Sequence, residues 1–262
     1  MYTFVSSFNI KLYREYACNF LRSWRECADS SINLYVFFEG EGIEEVQKEY
    51  SSDNLHILHI QSKLLTDFHL KFGRFKEANG IQFNISTNDQ VRLGYNYRFD
   101  AIRFSFKAFA LYRAVAELNI IGKIAWIDSD IVCRKIFTST DMSDIFPSTN
   151  QIASFLGRDN FPKPNAYSEC GFVGYNLDNK TSKAFLLEFV EIYTTGDIFK
   201  LTEWHDCMAF DSLRLNYESR GEEFLNLSGE FVSNDHPFML SKLGVYFDHL
   251  KGPERKRRGS SY

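Results

Sequence analysis

No apolar run in the sequence approaches the ~18 residues that a membrane-spanning helix needs, so no such span is expected. There is no C-x-x-C pair either. The five cysteines (Cys18, Cys27, Cys133, Cys170 and Cys207) are odd in number and irregularly spaced, which argues for reduced thiols rather than a disulfide framework or a zinc site. Prolines number only five, no Pro-, Gly- or Ser-rich linker divides the 262 residues, and no internal repeat is visible. One domain over residues 1–252 is therefore expected. A formal charge of −4 gives no bulk attraction to nucleic acid. The opening residues MYTFVSSFNIKLYREY lack a basic region followed by a long apolar one, so no signal peptide is expected and the simplest location is cytoplasmic. Positive charge concentrates only at Arg255, Lys256, Arg257 and Arg258. The segment 253–262 reads as a solvated basic tail, able at most to touch an anionic surface such as the inner membrane face.

Aromatic residues are abundant, with 26 Phe and 14 Tyr, which predicts an aromatic-rich core. Strands are expected at 3–8 (TFVSSF), 32–40 (INLYVFFEG) and 55–60 (LHILHI), with helical spacing over 12–28 and 43–50. Residues 71–97 are polar and weakly patterned and read as an irregular insertion. Phe99, Ile102, Phe106, Phe109, Ala110 and Leu118 then mark one face of a helix over 98–119. It leads through Gly122 into the strand KIAWI. Further strands are expected at 152–157, 170–177, 224–228 and 245–250, and helices at 182–193 and 203–215. Strands alternating with helices predict an α/β fold, a mostly parallel sheet with helices on both faces and an elaborated C-terminal half.

The run IAWIDSDIVC (124–133) places two carboxylates at the end of an apolar strand. If the strand continues, Asp128 and Asp130 point to the same face, at the end of a parallel sheet where ligands bind. Paired acids suit a solvated turn or a hard divalent cation such as Mg²⁺ or Mn²⁺. The pattern also fits the D-x-D-x-[TV] motif of haloacid-dehalogenase-like phosphatases. Their motif normally opens the domain, whereas about half this chain precedes Asp128.

Other candidates lie apart from this pair. Arg103 and Lys107 share a helix face, as an exposed basic stripe or as phosphate contacts. In SECGFVGYN, Gly171 and Gly174 allow close approach of backbone or ligand, with Glu169 and Asn176 flanking them. Thr202 is a candidate helix N-cap that would put Glu203 and Asp206 in the first turn, where acids also simply complement the helix dipole. The loop 157–168 could border a substrate. Gly40-Glu41-Gly42 imitates part of a dinucleotide fingerprint, but lacks its third glycine and is crowded by Glu39, Glu44 and Glu45.

The order of TFVSSF, RFSFKAFALYRAV, IAWIDSDIVCRKIF, ECGFVGYNL, WHDCMAFD and DHLKGPERK resembles the GT-A nucleotide-sugar glycosyltransferases. The resemblance is closest to glycosyltransferase family 8, the glycogenin and lipopolysaccharide galactosyl- and glucosyltransferase group, and spans nearly the whole chain. It implies a GT-A fold, a UDP-sugar or other nucleoside diphosphate sugar as donor, Mn²⁺ or Mg²⁺ as cofactor, and a glycan or other hydroxyl as acceptor. The implied metal ligands are Asp128, Asp130 and His249. His249, Gly252 and Arg255 match the spacing of the family's His-x-x-Gly-x-x-Lys segment, with arginine for lysine, Lys251 and Lys256 alongside, and no following Pro-Trp. Donor contacts are expected from Arg103, Lys107, Ser129, Lys251, Gly252 and Arg255. Asp206 (with His205 second) and Glu169 are expected to orient the donor sugar, or to serve as base if the reaction inverts, although the family resemblance implies retention. A catalytically inactive sugar-nucleotide- or glycan-binding domain remains the non-enzymatic alternative.

Overall fold

The computed structural model describes residues 1–85, 91–158, 166–228, 237–252, 254 and 256. Strand β1 (Tyr2–Asn9) runs into a short helix α1 (Ile10–Leu12), whose first turn is capped by Asn9 Oδ1 accepting from Leu12 N at 3.0 Å. A π-helical turn (Tyr13–Ala17) joins it to α2 (Cys18–Cys27). Then come β2 (Ile32–Glu39), α3 (Ile43–Tyr50), β3 (Leu55–His59) and α4 (Lys63–Phe72). An antiparallel hairpin, β4 (Ile81–Ile85) and β5 (Val91–Tyr95), precedes α5 (Ala101–Tyr112). The rest of the chain supplies β6 (Lys123–Ile127), β7 (Ile131–Cys133), β8 (Gln151–Leu156), β9 (Glu169–Asn176), α6 (Lys180–Thr195), α7 (Asp206–Glu218), β10 (Glu223–Asn226), α8 (Pro237–Leu240) and β11 (Phe247–His249).

Seven strands form the central sheet in the order β10-β8-β9-β6-β1-β2-β3. Pairings β6–β1, β1–β2 and β2–β3 are parallel, as is β10–β8, while β9 runs antiparallel to both of its neighbours. The result is a mixed α/β fold with a mostly parallel sheet. The pleat divides the core into two layers. Phe4 and Phe8 of β1 pack with Phe20 and Trp24 of α2 on one face. Val5 of β1 packs on the other, with Phe68 of α4, Phe109 of α5, Phe189 of α6 and Phe210 of α7.

Residues 71–97 depart from the irregular insertion expected of them. They hold the end of α4 and the β4–β5 hairpin. Helix α4 begins where Ser62 Oγ accepts from Leu65 N at 3.2 Å, and buries Leu65 and Phe68 three residues apart. Helix α7 starts at Asp206 rather than 203. His205, not Thr202, is its N-cap, its ring accepting from Met208 N at 3.3 Å. Among the described residues no helix is long and apolar enough to cross a membrane.

Candidate active site

Strand β6 stops at Ile127, so Asp128, Ser129 and Asp130 lie in a turn and not on a continued strand. The turn is held from both sides. Asp128 N donates to the Gly171 carbonyl at 2.9 Å, and Trp126 Nε1 donates to Asp128 Oδ1 at 2.6 Å. Past the turn, β7 leaves the central sheet and pairs antiparallel with β11, a register that sets His249 opposite Ile131. Leu250 N also donates to the Asp130 carbonyl at 2.9 Å. The far end of the chain is thereby fastened beside the acidic turn.

His249 Nε2 sits 3.0 Å from Asp130 Oδ1 and 3.8 Å from Asp128 Oδ2. One ligand atom from each of the three residues falls within 4.8 Å of the others. Mg²⁺ holds its ligands at ~2.0–2.1 Å, so adjacent octahedral ligands lie roughly 3 Å apart. The His249–Asp130 separation already has that spacing, and Asp128 needs to close on His249 by under ~1 Å. Two carboxylates and one imidazole fit a Mn²⁺ or Mg²⁺ ion. Gly171 makes the arrangement possible: a Cβ built there would stand 2.5 Å from His249 Cε1.

Cations crowd the acids. Lys256 Nζ is 2.6 Å from Asp130 Oδ2 and 4.6 Å from the centre of the Tyr16 ring. Lys251 Nζ is 3.2 Å from Glu169 Oε1, and Arg158 contacts Glu169 Oε2 at 3.3 Å. Burial pushes the Asp130 carboxyl up, but His249, Lys251 and Lys256 outweigh it and hold the group well below the usual carboxylate range. Burial likewise works against the Lys251 charge, and Glu169 with the two aspartates more than restores it. Ser129 is buried in the turn, on the side of the Tyr16 ring.

A second cluster lies behind the first. Lys107 is buried, not part of an exposed basic stripe with Arg103. Its ammonium ion-pairs with Asp206, donates to the Cys170 carbonyl at 2.7 Å, stands 3.6 Å from Asp128 Oδ1, and lies over the Trp126 ring at 4.9 Å. Burial opposes both charges of the Lys107–Asp206 pair, but each partner holds the other ionised: the ammonium is raised and the carboxyl lowered. Asp128 thus spans the two clusters, one oxygen toward Lys107 and the other toward His249. On β9 the pleat sends Glu169 toward His249 and Lys251, and Cys170 toward Asp206. Glu169 and Asp206 therefore serve different clusters.

The remaining expected residues fall in other places. Arg103 donates to the Tyr95 hydroxyl at 3.3 Å, and Asp100 caps its backbone at 3.0 Å. Glu203 receives Arg98 and the His205 ring, each at 2.8 Å. Gly252 turns the chain just past His249 with a left-handed φ of 89°. Gly40 and Gly42 likewise have left-handed φ of 77° and 91°, which makes them turn residues between β2 and α3. Arg255 and most of the 157–168 loop and the 253–262 tail lie outside the described residues. Sequence reasoning missed Trp126 and Tyr16. Trp126 carried a usable signal, since it stands two residues before Asp128 at the end of the strand and its indole reaches that carboxylate. Tyr16 carried none.

No family model matches the chain, and no curated protein matches it in sequence. Among solved structures it is similar to apo mouse xyloside xylosyltransferase 1, at 14% identity over 86% of this chain and 84% of that one, with a TM-score of 0.46. It is also similar to the apo bifunctional glycosyltransferase WbbM, at 12% identity over 95% and 45%, TM-score 0.49. A third is the apo glycosyltransferase GlyE of Streptococcus pneumoniae, at 12% identity over 86% and 45%, TM-score 0.47. The chain spans under half the length of the latter two.

Proposed function

We propose that this chain is a metal-dependent glycosyltransferase of the GT-A kind, moving a sugar from a nucleoside diphosphate sugar, UDP-linked by preference, to a hydroxyl of a glycan or similar acceptor. One observation carries the reading. The turn after β6 and the last strand of the chain bring two carboxylates and an imidazole together beyond the parallel strands, with two lysines alongside. Asp128, Asp130 and His249 would hold Mn²⁺ or Mg²⁺, which when bound offsets negative charge growing on a leaving diphosphate.

The chain's own residues do the rest. Lys251 and Lys256, now resting on Glu169 and Asp130, are long enough to turn to the diphosphate and neutralise it. Lys107, 3.6 Å from Asp128, keeps the buried Asp206 ionised behind it, and Asp206 in turn fixes the ammonium that faces Asp128. Its lowered proton affinity makes Asp206 a poor general base, so it is a positioning group. Glu169 is already engaged by Lys251 and Arg158 and orients the lysine.

The test is turnover. Incubation with Mn²⁺ and a panel of UDP- and GDP-sugars should release nucleoside diphosphate, and Asp130→Ala should abolish that release. No release with any donor, despite tight donor binding, would favour an inactive binding domain. Labelling of Asp128 by a phosphoryl-mimicking fluoride would favour the phosphatase reading.

A further inference from the structure

The cluster around Asp206 contains two thiols for which the proposed transfer has no use. The sulfurs of Cys170 and Cys207 lie with an Asp206 oxygen in a group whose atoms are all within 4.8 Å of one another. One thiol comes from the middle of the sheet, on β9, and the other from the first turn of the 13-residue helix α7. Cys170 is buried, whereas Cys207 is partly exposed. We propose that Cys170 and Cys207 are a modification site, a dithiol that a hydroperoxide closes into a disulfide tying β9 to the start of α7.

The neighbours favour this chemistry over a bound soft metal. The Lys107 ammonium already engages Asp206 and the Cys170 carbonyl, so a cation at the same place meets a fixed positive charge and a carboxylate in use. The same charge, with the N-terminus of α7, favours a thiolate. Cys207 has its proton affinity lowered first by the Cys170 thiol and also by His205, against burial and Asp206. Burial raises Cys170, as it does Cys27 and Cys133, so Cys207 is the attacking sulfur and Cys170 the one that closes the bridge. A disulfide needs the sulfurs at ~2.05 Å, so closure asks for an approach of under ~3 Å, within reach of side-chain rotation and a small shift of the first helical turn.

The step balances with one hydroperoxide as oxidant. With hydrogen peroxide, the Cys207 thiolate attacks one peroxide oxygen, the O–O bond breaks, and the departing hydroxide takes a proton and leaves as water; with an organic hydroperoxide the leaving group is the alkoxide, released as the alcohol. The Cys170 thiol then displaces the hydroxyl of the resulting sulfenic acid, which leaves as water. Two thiols lose one electron each and the peroxide gains both. In the reduced state Cys207 Sγ contacts Asp206 Oδ1 at 3.5 Å. Closing the bridge withdraws that contact and pins the element that carries Asp206.

Thiol counting on the full chain tests this without reference to turnover. After brief treatment with stoichiometric hydrogen peroxide and unfolding, free thiols should fall from the five of the reduced chain to about three, because a disulfide consumes two. Peptide mapping should show a Cys170–Cys207 link, and dithiothreitol should restore the starting count. Cys207→Ser and Cys170→Ser should each keep all their remaining thiols under the same treatment. Should either variant fail to fold, the wild-type peptide map decides alone. Five surviving thiols would overturn the proposal, as would a link between other cysteines or Cys207 driven to sulfinic acid without a link. A zinc ion retained through dialysis by the wild type and lost in Cys207→Ser would show a metal site instead. Turnover by the reduced protein tests the transferase reading separately. Its absence, with the mapped disulfide formed on oxidation, would count against that reading and leave the disulfide standing.

Discussion

Asp128 has one oxygen toward each of two charge clusters that are built on opposite terms. Toward His249, Asp130 and Glu169 are balanced by lysines from the last residues of the chain, Lys251 and Lys256, at 3.2 and 2.6 Å. Those side chains are partly exposed and can leave without unfolding anything. Toward α7, Asp206 is balanced by Lys107, both of them sealed between the sheet and α5. One cluster has cations that can be exchanged. In the other the cation is structural, and a charge left alone there has nowhere to go.

The comparison breaks most visibly at the sealed pair. Asp206→Leu strands the Lys107 ammonium and should lower unfolding free energy by about 3–5 kcal/mol, measured by urea denaturation. Adding Lys107→Met should recover much of that loss, because a neutral pair of similar size carries no stranded charge. Lys256→Met, by contrast, should cost much less, since the Lys256 side chain is partly exposed and its buried partner Asp130 keeps His249 3.0 Å away. Equal losses for Asp206→Leu and Lys256→Met would dissolve the distinction.

The next effect belongs to the exchangeable side. Gly171→Ala places a methyl group 2.5 Å from His249 Cε1. It should cost about 1–3 kcal/mol and weaken Mn²⁺ binding together with stability, read by melting with and without the ion. Unchanged binding would mean that the ring is not fixed where Gly171 leaves room for it.

Titration separates the clusters as well. Burial lowers the His205 pKa, but interactions with Cys207, Asp206 and Glu203 overcome this and raise it to about 9. A folded value above the unfolded value of about 6.5 stabilises fully below the latter and is lost as pH rises through the former. The melting temperature should therefore fall between about pH 6.5 and 9, by the equivalent of about 1–3 kcal/mol, less the Met208 N cap that only the neutral ring accepts, and His205→Gln should flatten the decline. Asp130 runs the other way. Its depressed value contributes stability present above the unfolded carboxylate range and lost only in strong acid. The smallest effect is local. Gly252→Ala forces a left-handed φ of 89° on a residue with a Cβ and should cost about 1 kcal/mol.

Much of the frame was readable because its strands are short apolar runs: INLYVFFE pairs on both edges and buries both faces. Nothing was expected over 61–70, where most of α4 lies, although Leu65 and Phe68 are correctly spaced; ten residues give too few turns for a clear face. Asp128 and Asp130 were identified with the wrong local geometry. Their convergence comes from a turn and from the β7–β11 pairing, not from strand pleat. His249 was legible through the resemblance alone, since its position depends on a pairing that joins residues 131 and 249. Lys107 could not be read as buried, because Asp206, the partner that makes its burial tolerable, is 99 residues away. Periodicity reports local faces. It is silent on which distant charges meet.

The central claim is that Asp128, Asp130 and His249 hold a divalent cation, and calorimetric titration of Mn²⁺ into the purified chain, with and without UDP, tests it most directly. One ion per chain is expected, bound more tightly when UDP is present, with affinity reduced on the order of 100-fold or more in Asp130→Asn while the thermal melt stays cooperative. Absence of Mn²⁺ binding by the wild type, or unchanged affinity in a folded Asp130→Asn, would contradict it.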